Sequence, residues 1–269
     1  MEDVHFRREW YPAEAVGHRC LARGLSDIAA MGGEPVAVFL SLALPARLPQ
    51  KWVDGFMKGF VRLAKKFNVP LAGGDTGESP AGVLADIVVL GSAPKGSAVL
   101  RSGARPGDLI YVTGAVGGSA AALASLRRGK KIRASEYERH FWPTPRIRVG
   151  RFLREHKLVS SMIDLSDGLS TDLSHICDES RVGAEIERKN LPLASVGKPP
   201  KVVDLEFGLH GGEDYELLFT AHPGKNIPSR IAGVTVTRIG QITSTRSVFI
   251  DDGRRRSKLQ PRGWEHFRG

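Results

Sequence analysis

The chain of 269 residues has only two cysteines, Cys20 and Cys177, and no paired cysteine motif. Neither a disulfide framework nor a zinc centre is therefore expected, and both are read as core thiols. Aromatic residues make up only 7%, too few for the base-stacking platform of a single-strand binder. Long apolar runs are missing. The longest, Val83 to Ala93, contains Asp86 and is too short to cross a bilayer. Acids rather than a basic and apolar leader follow Met1, so a cytoplasmic protein with no membrane partner is expected. Acids are outnumbered as well, 29 against 39 lysines and arginines, for a net charge of +10. Such a surplus suits nucleic acid or polyphosphate substrates. The cations are scattered, with short clusters only at Arg127-Arg128, Lys130-Lys131 and Arg254 to Arg256, which makes nucleic acid the less expected partner.

What is present is ordinary for a globular protein, at 41% hydrophobic and 25% charged. The length supports two domains. Glycine, serine and proline concentrate between Pro94 and Pro106, which predicts a boundary there, with domains of 1–100 and 101–269. Helical periodicity runs from Ala13 to Met31 and again through Trp52, Phe56, Phe60, Leu63 and Phe67. Strands are expected over 35–44, 83–93, 108–113 and 217–220, then near 234–239 and 247–250. Met1 to Phe6 reads as the end of a strand or loop whose beginning lies upstream.

The most informative stretch is Val159 to Leu173. An apolar strand at Met162-Ile163 ends in Asp164, and Leu169, Leu173, Ile176 and Cys177 recur at helical spacing. Ser166 or Asp167 is thereby expected at a helix N-terminus, where free backbone N–H groups suit a phosphate and flanking aspartates suit a magnesium ion. Simple helix capping explains the same residues. Asp27 lies among Leu25, Ile28, Ala29 and Ala30, where a charge needs a cationic partner or a metal. Val69 to Thr76 reads as a strand ending in Gly73-Gly74-Asp75, a close-approach point for a ligand or an ordinary turn. Gly114 to Ser119 could cradle a phosphate, although its spacing is neither a Walker loop nor a dinucleotide fingerprint. Glu213 and Asp214 form a glycine-bordered acidic cluster that could meet a substrate or sit in a solvated turn. Trp264 is expected either docked on the core or stacked on a flat ligand ring.

Taken in order, these segments resemble the thiamine-monophosphate kinase family of the aminoimidazole ribonucleotide synthetase-like superfamily. The match runs through Val4-His5-Phe6, Leu25 to Gly33, Ala72 to Thr76, Arg101 to Asp108, Val112 to Ser119, Pro143 to Arg146, Met162 to Leu169, Gly211 to Leu217 and Gly263 to Phe267. The resemblance implies an α/β fold, an N-terminal sheet domain that pairs across a homodimer and a C-terminal α/β domain. It implies phosphoryl transfer from ATP to thiamine phosphate, with magnesium ions held by Asp27, Asp75, Asp164 and Asp167. Gly74, Asp75, Arg101 and Ser166 correspond to ATP contacts, and His5, Glu213 and Trp264 to substrate contacts. No protein nucleophile is implied. Members of that family usually carry an upstream strand with Gly-Asp-Asp and a Thr-Asp segment shortly before the Val-His-Phe motif, both supplying metal ligands; this sequence begins after them, so either a truncated reading frame or a protein with fewer magnesium sites is expected. Gly118 departs from the family, whose members often have an acid there. Two further readings are a sibling ATP-dependent synthetase, and a nucleotide- or RNA-binding protein without catalysis.

Overall fold

The computed structural model describes residues 1–264. Its first part comprises α1 (Ala13–Ala30), β1 (Glu34–Pro45), α2 (Gln50–Lys66), β2 (Leu71–Ser79) and β3 (Leu84–Ser92). There follow β4 (Leu109–Thr113), α3 (Gly118–Arg127), α4 (Glu138–Phe141), α5 (Ile147–Glu155), β5 (Ser161–Asp164), α6 (Leu169–Ser180) and β6 (Gly183–Glu187). The last part holds β7 (Ser195–Val196), β8 (Lys201–Val202), α7 (Leu205–His210), β9 (Leu217–Ala221), β10 (Arg230–Ile231), β11 (Val234–Thr243), β12 (Val248–Asp251) and β13 (Arg256–Lys258). No helix among the described residues is long and apolar enough to cross a membrane.

The first sheet has the order β2-β1-β3, with β1 parallel to β2 and antiparallel to β3. A parallel pair needs a crossover, and α2 supplies it. Phe56, Gly59, Phe60, Leu63 and Ala64 of α2 are buried at helical spacing and meet Val38, Leu40 and Leu42 of β1 together with α1. Among the described residues only one side of this sheet is covered. Phe39, Leu84, Val88 and Leu90 remain exposed, Val88 at 52%.

The second sheet has eight strands in the order β13-β12-β6-β11-β4-β9-β5, with β10 against β11. It is covered on both faces, which is why every residue of β5 and β9 is buried. Leu218 packs with Leu169, Leu173 and Ile176 of α6. Leu217 and Phe219 point the other way, onto Ala29 and Ala30 of α1 and Val149 and Leu153 of α5. The C-terminal end of α1 is thus wedged against the second sheet, while its N-terminal part packs in the core beneath the first.

Two expectations are corrected. Gly73-Gly74-Asp75 does not end a strand or form a turn but lies inside β2, held extended by parallel pairing with Leu40 and Ser41 of β1. Neither Ser166 nor Asp167 caps α6, which begins at Leu169 behind Gly168.

Candidate active site

The antiparallel pairing of β5, β9 and β4 brings the end of β5, the start of β9 and the end of β4 to one edge of the second sheet. The segment after β5 is zipped to the segment before β9 by main-chain hydrogen bonds: Leu165 N–H to the Glu216 carbonyl (2.8 Å), Tyr215 N–H to Leu165 (2.9 Å) and Glu213 N–H to Ser166 (2.8 Å). The Trp264 N–H donates to the Asp167 carbonyl at 3.0 Å. Asp164, Ser166, Asp167, Glu213 and Trp264, five residues singled out in the sequence, therefore share one rim. Trp264 is 45% exposed there rather than docked in the core. The residues after it in the Gly263 to Phe267 motif lie outside the described residues.

Helix α1 delivers the next group. The Ser26 hydroxyl donates to Asp164 Oδ2 at 2.6 Å, which sets Asp27 beside the same carboxylate. Asp27 is exposed rather than enclosed by its apolar neighbours, a correction to the expectation from its sequence context. Desolvation by the surrounding protein raises its pKa, against Arg23 and Arg101 and with help from Asp167. Asp164 is 4% exposed. Burial, then the nearby Asp27 carboxylate, pushes it up to about 6. Arg101, carried on the segment whose Leu100 carbonyl accepts from Met162 N–H at 2.9 Å, lowers both carboxylates only partly. Asp172 joins the cluster without having been singled out in the sequence. Its Oδ2 accepts the N–H groups of Asp167 (3.2 Å) and Gly168 (3.0 Å), so it caps α6 from inside the helix. Burial and the Asp167 and Asp164 carboxylates push Asp172 up to about 8.

This cluster is short of positive charge. Asp164 and Asp172, buried and held above the usual carboxylate range, stand with Asp27 and Asp167, and among the described residues Arg23 and Arg101 oppose the charge of Asp27 and Arg101 that of Asp164; such carboxylates are the donor set of a hard divalent cation. Oxygen ligands of Asp167 and Asp172 and a nitrogen of the exposed His175 lie within 4.8 Å of one another. The residues present thus fit magnesium.

Two expected site residues stand on other elements. Asp75 is level with Ser41 on β1, whose neighbours Leu40 and Leu42 are buried, so it belongs to the uncovered side of the first sheet with Phe39. Its Oδ1 accepts the Thr76 N–H at 2.8 Å. Gly74 has a φ of +146°, and a Cβ there would lie 1.8 Å from the Leu40 carbonyl oxygen, so only glycine permits the close β1–β2 pairing beside Asp75. His5 sits in the N-terminal turn, where its Nδ1 is 3.3 Å from the Met1 amino group and Glu2 pins the turn through the Val83 N–H at 2.8 Å.

The acids of the second cluster divide by role. Asp214 does not face outward: it is buried and accepts the N–H groups of Gly117 (2.5 Å) and Ser119 (3.1 Å) at the start of α3. Two N–H groups of the glycine loop after β4, which in sequence could cradle a phosphate, are thus taken by the chain's own carboxylate. Gly118 is buried there, facing Ala194. Glu216 is fully buried and takes Thr113 Oγ1 (2.6 Å), Arg139 (2.6 Å) and Arg146 Nε (2.7 Å), tying β9 to β4 and to the Pro143–Arg146 segment. Glu213 alone of the three opens toward solvent, paired with Arg19 at 2.7 Å.

Comparison with known proteins agrees with this architecture. Residues 1–93 match the N-terminal domain of AIR synthase related proteins, and residues 105–252 match their C-terminal domain. Thiamine-monophosphate kinase of Escherichia coli O157:H7 is 39% identical over 98% of this chain and 83% of its own length. The enzyme of the same name from Bacillus subtilis strain 168 is 35% identical, over 100% of this chain and 86% of its own. Among solved structures, AaThiL complexed with AMPPCP and TMP superposes with a TM-score of 0.87 at 32% identity, over 99% of this chain and 84% of the other. The chain belongs to the thiamine-monophosphate kinase family of AIR synthase related proteins.

Proposed function

We propose that this chain transfers the γ-phosphoryl group of ATP to thiamine phosphate, giving thiamine diphosphate and ADP. The observation that carries the reading is the convergence of Asp27, Asp164, Asp167 and Arg101 at one sheet edge, in a chain 39% identical to a thiamine-monophosphate kinase over 98% of its length. Asp27, Asp75, Asp164 and Asp167 would hold magnesium, which when bound would supply positive charge to offset that of the phosphates. Gly74, Asp75, Arg101 and Ser166 bind ATP, with the Arg101 guanidinium countering phosphate charge. His5, Glu213 and Trp264 bind thiamine phosphate, Trp264 offering a flat, half-exposed ring to a flat heterocycle.

A terminal phosphate oxygen of the acceptor attacks the γ-phosphorus, and the bond to the β,γ-bridging oxygen breaks with its electron pair leaving on ADP. The protein contributes position and electrostatic complementarity and no nucleophile. Ser166 and Asp167 are fixed on one side by β5 and on the other by the hydrogen bonds to Glu213 and Trp264. Donor and acceptor sites are therefore built on the two strands of one zipped segment.

The working unit is a homodimer. The exposed side of the first sheet, with Phe39, Val88 and Leu90, is a continuous apolar face of the kind that a second sheet covers. Asp75 lies on that side, so a partner subunit seated there completes the metal and nucleotide site. Residues 1–100 form the ATP, metal and dimerisation domain, and residues 101–269 the C-terminal domain. The test is incubation with ATP, magnesium and thiamine phosphate, followed by separation of thiamine and its phosphates. One thiamine diphosphate per ADP is expected. ADP without thiamine diphosphate, or no turnover by the folded protein, overturns the proposal.

A further inference from the structure

Arg19 stands outside every role assigned above, yet its guanidinium is nearly buried, in the middle of α1, at 8% side-chain exposure. A buried guanidinium must have its donors met. Nη2 pairs with Glu213 Oε1 at 2.7 Å, Nη1 donates to the His140 carbonyl, and the group lies over the Tyr11 ring at 5.3 Å. The contacts continue from there. His140 Nε2 meets Tyr11 Oη at 2.7 Å, and its Nδ1 meets Ser119 Oγ at 2.8 Å. Ser119 N–H donates to Asp214, the residue after Glu213. Burial holds the His140 pKa well below its usual value, and the ring bridges two hydroxyls. Arg19, His140, Ser119, Asp214 and Glu213 thus form a closed circuit.

What the circuit encloses is a turn that would not hold itself. Glu213 and Tyr215 both have left-handed φ, 64° and 51°, which a side-chain-bearing residue adopts only where its surroundings impose it. Main-chain bonds to Ser166 and Leu165 fix the backbone, and the Glu213 side chain is 28% exposed. Arg19 is two turns before Asp27 on the same helix, roughly 12 Å along its axis. One rigid helix therefore carries a charge that grips the acceptor turn and a carboxylate of the metal cluster.

We propose that Arg19 is a positioning residue for the acceptor substrate, holding the Glu213 carboxylate in register with the metal-bearing end of α1. This rests on the reading of Glu213 as a thiamine phosphate contact. A pair serving only to staple α1 to the second sheet would affect both substrates alike, or neither.

The experiment is calorimetric titration of the full chain with thiamine phosphate in the presence of magnesium and AMPPCP, and separately with AMPPCP alone. Arg19→Met is expected to weaken thiamine phosphate at least tenfold and to leave AMPPCP within twofold. Arg19→Lys, whose ammonium can reach Glu213 but cannot also serve the His140 carbonyl in the same geometry, is expected to recover most of the loss. Should Arg19→Met not fold, Arg19→Gln takes its place with the same expectation. Equal weakening of both ligands, or no change in either, overturns the inference. Glu213→Gln separates the two claims. If it weakens thiamine phosphate and the Arg19 variants do not, positioning by Arg19 is wrong and the role of Glu213 stands. If Glu213→Gln changes nothing, the role of Glu213 falls, and the inference with it.

Discussion

Replacing Asp164 by asparagine should make the metal-free protein more stable and the enzyme inactive. Asp164 is buried, and desolvation followed by repulsion from Asp27 lifts its pKa from an ordinary 3.8 to about 6. A carboxyl with a raised folded-state pKa releases its proton less readily in the native state than in the unfolded chain. Stability therefore falls as pH rises from about 4 to about 6, and the full penalty persists above that. The shift corresponds to about 3 kcal/mol, at about 1.4 kcal/mol per pKa unit. Asparagine is nearly isosteric and its Oδ1 still accepts the Ser26 hydroxyl, so the variant escapes the penalty without losing that bond. For a protein of this size the gain is roughly 6–12 °C in melting temperature. The assay is thermal unfolding of both proteins at pH 4 and pH 8, in EDTA and in magnesium with AMPPCP. The two should coincide at pH 4, the variant should lead at pH 8 in EDTA, and magnesium should stabilise the wild type more than the variant. A variant no more stable than the wild type at pH 8 in EDTA refutes the argument from burial. Equal stabilisation by magnesium refutes the assignment of Asp164 as a ligand.

Glu216→Gln leaves the mostly buried Arg146 facing a neutral group and should cost about 3–5 kcal/mol, read by urea unfolding. Asp75→Asn should abolish turnover while shifting the unfolding midpoint by less than about 0.5 kcal/mol, since Asp75 is exposed on an edge strand; unfolding, with turnover per folded molecule kept, would make its role structural. Val88→Asp puts a charge on the uncovered sheet face, on edge strand β3, and should turn a dimer into a monomer in light scattering, with loss of activity because Asp75 no longer meets a partner.

Much of this molecule is written in local pattern. The periodicity over 13–31 and 52–67 corresponds to α1 and α2, and the alternation over 35–44 to β1. The strand that delivers Asp164 is visible because an apolar run there stops at a carboxylate. Other features depend on partners distant in sequence. Gly73-Gly74-Asp75 has turn chemistry, and only parallel pairing with β1 keeps it extended. Asp172 sits one turn inside α6 and reads as a solvated helix position, yet it folds back to cap Asp167 and Gly168; an acid in the first turn of a helix is the signal that could have found it. Asp214 and Glu216 resemble a solvated turn in sequence, because the α3 N-terminus and the two arginines that bury them come from residues 117–146. Arg19 gives no hint of burial, since nothing near it in sequence reveals Glu213. The resemblance to the kinase family supplied the site set for the same reason: it carries nonlocal information that spacing along one chain does not.

The central claim is that acids from separate elements meet one nucleotide through shared divalent ions. Its most direct test is a crystal grown with manganese, AMPPCP and thiamine phosphate, with the anomalous signal of manganese recorded. Peaks bounded by Asp27, Asp164 and Asp167, with Asp75 of the partner subunit reaching the same phosphates, are the predicted result. Manganese found elsewhere, or a nucleotide bound without contact to these carboxylates, would contradict it.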